Sequence, residues 1–477
     1  MIISLLSSVT ACGENANVQP EITSSAKDNT EATPEEAFSY LTDLPVADYN
    51  GYKFRICGEI MRDHYDSEEL DGEVINDAIY HRNHDIEEKY NISIEYTLFD
   101  WQSGDDNIKK VILAGENAYD LLTCTHLYLG DLMMRGSFLD WKTIPYVDMT
   151  KIYYVQSAND TYSISTVQPL LFGDYLDSSI NCTWVFVFNK RLADQYGISG
   201  LYETVDDGRW TIDYLTETIK DTQSDLNGDS VFDENDFYGL AIDKYGSVDS
   251  FVRAFEMSAI KKDENNYPIL DFYNEHTVNA YTKLYNLYYN TSGAYTQYGA
   301  FAATGGSFIP GKAIFSNNLM ITLYGAEMRD MQDDYGILPY PKFEESQSGY
   351  FSYLDGTFSA MMLGITTPSE NIEMCGMITE ALNAYSREYV VPALYDTSLK
   401  LKASRDEDSM RMLDILLEGR RFSFDSFDEG GFKFSPNNAL RANIQNKKDS
   451  ISSFCEKNVK SAQKWVDKII AQYEDVG

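Results

Sequence analysis

Thr183-Trp184-Val185-Phe186-Val187-Phe188-Asn189-Lys190 carries an unbroken run of β-branched and aromatic side chains, closed by a polar Asn-Lys pair. A run this short reads as a strand buried on both faces. Taken alone, it fits an ordinary interior strand of a single α/β domain equally well. Residues 173–177 precede it, and a helix-like segment at 191–196 follows.

Upstream, strands and helices alternate. Residues 52–57 make a short strand. Ile75, Ile79, Ile86 and Tyr90 keep helical spacing over 75–90, with Arg82 the one polar intruder. Ile92, Ile94, Tyr96 and Leu98 alternate as in a strand, and a helix near 107–114 and a strand at 119–123 follow. This order is the signature of a parallel sheet with helices on its faces. Ligands of such sheets sit beyond the carboxyl ends of the strands, which places Asp100-Trp101 and residues 123–128 beside a cleft. Downstream, a second α/β unit begins. Thr211 caps a helix whose Ile212, Leu215 and Ile219 share a face. Residues 238–242 form a strand, and Val278, Tyr281, Tyr285 and Tyr288 line one side of a helix. The tail holds helices at 372–385 and 451–473.

The ordered series Tyr119-Asp120-Leu121, Phe188-Asn189-Lys190, Trp210-Thr211, Phe308…Gly311-Lys312-Ala313-Ile314-Phe315 and Tyr335-Gly336-Ile337-Leu338-Pro339 resembles the extracellular solute-binding proteins of ABC sugar importers. The similarity covers residues 50–475. No single motif is diagnostic; the order is. The resemblance implies a two-lobed, periplasmic-binding-protein-like α/β fold with hinge-crossing segments and a cleft between the lobes. By that analogy lobe one holds 48–185 and 311–352, and lobe two holds 190–310 and 360–475. The crossings fall at 183–190 and 351–365.

At 477 residues the chain exceeds what one core usually supports. A net charge of −37 repels phosphate backbones and argues against nucleic acid and a basic membrane-surface patch. The 36 Tyr, 24 Phe and 5 Trp suit a carbohydrate cleft, where flat rings stack on sugar faces, although most aromatic residues pack in cores. Residues 1–12 are apolar but too short to span a bilayer. They end in Val9-Thr10-Ala11-Cys12, which resembles a bacterial lipobox and marks Cys12 for lipidation. No Lys or Arg precedes the apolar part, a departure from the usual signal peptide. Residues 13–47 read as a flexible tether. Cys57, Cys124, Cys182, Cys375 and Cys455 are widely spaced and lack a C-x-x-C pair, which argues against structural zinc.

The sharpest local motif runs from Asp225 to Asp236. Asp225, Asn227, Asp229, Asp233 and Asp236 stand at positions 1, 3, 5, 9 and 12, with the Val231 carbonyl at position 7. That spacing winds oxygens around one centre, as Ca²⁺ requires. Ser230 replaces the preferred glycine, and Asp236 replaces the usual bidentate Glu. Calcium-free, the same residues would make an acidic loop of Asx turns. Calcium bound here would be structural.

Sugar recognition needs rings for C–H faces and planar polar groups for hydroxyls. The candidate ligand residues are Trp101, Thr125, His126 and Tyr128 at strand ends; Asp174, Tyr175, Asp177 and Trp184 around the first crossing; and Tyr245, Tyr324, Tyr353 and Asp355 beyond it. Each alone fits packing or surface equally well. Loss of a stacked Trp101 or Trp184 is expected to weaken binding at least tenfold without unfolding. H-E-x-x-H, G-x-S-x-G and G-x-x-x-x-G-K-[ST] are all missing. With 75 acidic residues, a surface polysaccharide hydrolase stays open as an alternative, as do a binder of a non-sugar solute and a surface adhesion protein. The reading is a non-enzymatic, lipid-anchored, monomeric receptor on the outer face of a bacterial membrane. It would pass a carbohydrate to an ABC permease.

Overall fold

The apolar runs become strands that sort into two large sheets, beside two two-stranded pairs. The computed structural model describes residues 39–59, 65–99, 105–297, 304–323, 325–354, 361–399, 407–422, 424 and 436–474. Its strands begin with β1 (Tyr52–Glu59), β2 (Ile92–Phe99), β3 (Leu121–Thr125), β4 (Trp184–Asn189), β5 (Tyr238–Asp243), β6 (Ile260–Lys262) and β7 (Pro268–Leu270). They continue with β8 (Ala294–Gln297), β9 (Ala313–Leu319), β10 (Tyr335–Leu338), β11 (Ser352–Tyr353), β12 (Met361–Gly364) and β13 (Arg420–Arg421). The first sheet has the order β12-β3-β1-β2, and the second β10-β4-β9-β5-β8; the two-stranded pairs are β6-β7 and β11-β13. β1 runs parallel to β2 and β3, as the upstream alternation predicts, and β12 returns antiparallel to β3. β5 is parallel to β8 and β9, whereas β4 is antiparallel to β9 and β10. The helices Val74–Tyr90, Asp105–Leu113, Ile212–Ile219, Ile372–Tyr385 and Ser452–Glu474 fall where periodicity predicts them. Thr211 accepts a hydrogen bond from the Tyr214 N–H at 3.2 Å, which makes it the expected cap.

All six residues of β4 are buried. Trp184, Phe186 and Phe188 pack in one core with Trp210 and Phe315, while Val185 and Val187 pack in another with Met320, Tyr335 and Leu394. A strand that fills two layers has no face left for polar residues. β4 is thus an interior strand of the second sheet. The chain passes between the sheets just before it, where Leu176 joins the first sheet's core and Ile180 the second's.

Three further placements differ from expectation. β9 and β10, expected with lobe one, hydrogen-bond in the second sheet beside β4 and β5. β12, expected within the second crossing where lobe two begins, closes an edge of the first sheet, and the helix Ile372–Tyr385, expected with lobe two, packs on that sheet's core. A buried apolar run does not reveal which sheet it joins. A third connection has no counterpart in the sequence reading. After Ile372–Tyr385 comes a wide π-type turn, Ser386–Val390, and then the helix Val391–Leu399, which packs Val391 and Leu394 in the second sheet's core. Such turns often mark functional joints.

Cys57, Cys124, Cys182, Cys375 and Cys455 are buried, and none of them is in a disulfide among the described residues. No helix among the described residues is long and apolar enough to cross a membrane.

Candidate ligand-binding site

Polar groups gather where the parallel strands end. In the first sheet, β1 ends at Glu59 and β3 at Thr125, both buried. Thr125 donates to one Glu59 carboxylate oxygen through its hydroxyl at 3.1 Å and its N–H at 3.3 Å.

In the second sheet, β5 ends at Asp243. Its carboxylate accepts the N–H groups of Tyr245 at 2.6 Å and Ser247 at 3.3 Å, and the Asn317 side-chain amide of β9 at 2.9 Å. Burial raises the Asp243 pKa, against the opposing pull of these donors. A carboxylate at the start of the helix Gly246–Ala254 is well placed against its unpaired N–H groups. It therefore fixes the turn that carries Tyr245. Half-buried Tyr245 holds the Arg441 guanidinium 3.8 Å from its ring centroid. Arg441 in turn is ion-paired with buried Asp249, so its charge is balanced. Trp184 lies against Gly246. A Cβ at position 246 would come within 2.1 Å of the indole, so glycine is the residue that fits. Asp243, Asn317, Trp184 and Tyr245 thus form one cluster at the carboxyl end of β5. Asp243, Asn317 and Trp184 are buried and form its support, and half-buried Tyr245 is the ring it leaves for a sugar face.

Of the predicted ligand residues, Trp184 and Tyr245 meet in this cluster, and Thr125 stands with Glu59. Asp174, Tyr175 and Asp177 instead lie buried along the first connection. Asp174 accepts from Arg387 of the π-type turn at 3.2 Å. Burial pushes the Asp174 pKa up to about 6, although Arg387 and Arg420 pull it down. Asp177 accepts from Asn181 at 3.0 Å, and the Tyr175 ring lies 4.8 Å from the Arg82 guanidinium. Tyr353 is buried in β11, in register with Arg421 of β13. Trp101, Tyr324, Asp355 and Cys12 lie outside the described residues, as do the side chains of His126 and Tyr128.

Glu59, Asn317 and Arg441 escaped the sequence reading. Arg441 had a signal: in the helix Pro436–Gln445 it shares a face with Leu440 and Ile444. Asn317 sits in an otherwise unremarkable strand, and nothing in the sequence singles it out.

The 225–236 loop is largely exposed. Asp225 accepts the N–H groups of Gly228 at 2.6 Å and Ser230 at 2.8 Å, and Asp236 accepts those of Leu226 at 2.9 Å and Asp233 at 3.0 Å. Asp229 accepts from Val231 at 2.8 Å and from the Asn227 amide at 3.0 Å. Ser230, where glycine is usual, has a left-handed φ of 62°. Among the described residues, however, no group of three or more His, Cys, Asp or Glu side chains converges to hold a metal ion.

No protein-family model matches the chain, and no curated protein matches it. Solved structures do. The cyclo/maltodextrin-binding protein complexed with maltotetraose aligns with a TM-score of 0.55 at 16% identity, over 87% of this chain and 97% of that one. The galacto-N-biose/lacto-N-biose I-binding protein of an ABC transporter from Bifidobacterium longum, in complex with lacto-N-biose, aligns with a TM-score of 0.55 at 12% identity, over 88% of this chain and 98% of that one. The GacH receptor of Streptomyces glaucescens, solved unliganded and with acarbose, gives 0.51 at 14% identity, over 89% of this chain and 99% of that one. At such identities the likeness is one of fold, and it spans nearly the full length of each chain. The chain has the two-lobed, periplasmic-binding-protein-like α/β fold of the solute-binding proteins of ABC transporters.

Proposed function

We propose that this protein is a non-enzymatic substrate-binding component of an ABC importer that captures a carbohydrate between the carboxyl ends of its two sheets. The observation that carries the reading is half-buried Tyr245, positioned by the buried Asp243–Asn317–Trp184 cluster at the strand ends where this fold places ligands. The matched proteins bound to acarbose, maltotetraose and lacto-N-biose support an oligosaccharide as the guest. A guest touching both lobes shifts the ensemble towards a closed form, which then docks on the permease. Lipidation at Cys12 and the 13–47 tether would hold this monomeric receptor at the outer face of the membrane. A thermal-shift screen with malto-oligosaccharides, lacto-N-biose and acarbose tests the reading. At a hundredfold excess over Kd, a binder adds about 2.7 kcal/mol and raises the melting temperature by several degrees. A flat response across a broad glycan panel would refute it.

We also propose that Ca²⁺ occupies the 225–236 loop as a structural ion. The ligand spacing and the left-handed Ser230 support this. Binding would turn Asp229 and Asp233 inward, exchanging their local hydrogen bonds for the ion. Calorimetry on chelator-treated protein should show heat on adding Ca²⁺ and a higher melting temperature; the absence of both would refute the ion.

A further inference from the structure

Besides the three covalent connections, the two lobes touch through non-covalent contacts from the second lobe and the tail. The β6–β7 hairpin follows the helix Gly246–Ala254 and so belongs with the second sheet. The turn at 163–167 belongs with the first, because Leu171 just beyond it exchanges both backbone hydrogen bonds with Leu363 of β12. The two turns interlock. The Asn266 amide donates to the Ser163 hydroxyl at 2.8 Å and to the Ser165 carbonyl at 2.9 Å. The Ser165 N–H donates to the Asn266 carbonyl at 3.0 Å. Both residues are left-handed, with φ of 63° at Asn266 and 50° at Ser165, so the fit depends on turn shape as well as on side chains. The Lys262 ammonium adds a hydrogen bond to the Ser163 carbonyl.

The helix Ser452–Glu474 makes the second contact. It packs against β7. At its far end the buried Tyr473 hydroxyl donates to the Met133 carbonyl at 2.9 Å, at the end of the helix His126–Met134 that follows β3. One helix thus reaches from the hairpin to the first lobe.

We propose that the β6–β7 hairpin and the C-terminal helix form a non-covalent brace that limits relative motion of the two lobes in the ligand-free protein. The inference rests on the two-lobed fold and not on the identity of the guest. A cluster of directed hydrogen bonds between two rigid turns holds one arrangement, and a rotation of the lobes about an axis elsewhere must break it. The brace therefore narrows the range of lobe positions before ligand arrives.

The test needs no ligand. Spin labels are placed on Lys53→Cys in β1 and Lys220→Cys beyond the helix Ile212–Ile219, both exposed, in a chain carrying Cys12→Ser; the native thiols among the described residues are buried. Pulsed electron resonance then reads the spread of inter-lobe distances. Asn266→Gly keeps the left-handed backbone but removes the amide, and Tyr473→Phe removes only the second hydroxyl. Each variant is expected to widen the distribution, and the pair together at least twofold, with cooperative melting retained. Distributions as narrow as in the unaltered chain for both variants would overturn the brace. Because Tyr473→Phe deletes one oxygen, it remains informative if Asn266→Gly does not fold.

Discussion

Arg82→Met is expected to destabilise the protein by about 3 kcal/mol or more, read as a shift in the urea midpoint. Arg82 looks like an intruder on the apolar face of its helix, and the structure shows why it is there. It is buried, and its guanidinium donates to the Tyr175 carbonyl at 3.0 Å, the Tyr65 carbonyl at 2.8 Å and the Asn83 side chain at 2.9 Å. Hydrogen bonds to charged groups contribute about 1.5–3 kcal/mol each, and methionine replaces the volume but none of the donors. Lysine should rescue poorly, because a single ammonium cannot match the planar fork. Tyr175 borders the first connection, so the same change should also loosen the joint between the sheets. An unchanged midpoint would contradict this role.

Trp184→Ala should cost about 3–5 kcal/mol of stability, as large core truncations do. The sequence reading expects this change to lower affinity with the fold intact. The structure corrects that expectation: Trp184 is 2% exposed, so its removal empties part of a core. The contact with Gly246 makes the prediction sharper. Gly246→Ala alone should destabilise by about 1–3 kcal/mol, because the new methyl collides with the indole. In the double variant that collision is gone, so the combined loss should be smaller than the sum of the two. Strict additivity in denaturant unfolding would show that the two residues do not meet.

The parallel strands of the first sheet were legible because Ile92, Ile94 and Tyr96 alternate and Ile75, Ile79 and Ile86 keep helical spacing. Local period reports local structure. It does not report partners, which is why β9, β10 and β12 change sheets and why the π-type turn at Ser386–Val390 has no sequence sign. The site divides in the same way. Trp184 and Tyr245 follow from strand ends and residue type, whereas Arg441 and Asn317 enter through folding contacts with Asp249 and Asp243, 192 and 74 residues away.

Amide hydrogen exchange, with and without the glycan that raises the melting temperature most, tests capture between the lobes most directly. Slowed exchange is expected in peptides from both sheets: those containing Glu59 and Thr125, and those containing Tyr245 and Gly246. Protection confined to one sheet, or absent from both, would contradict it.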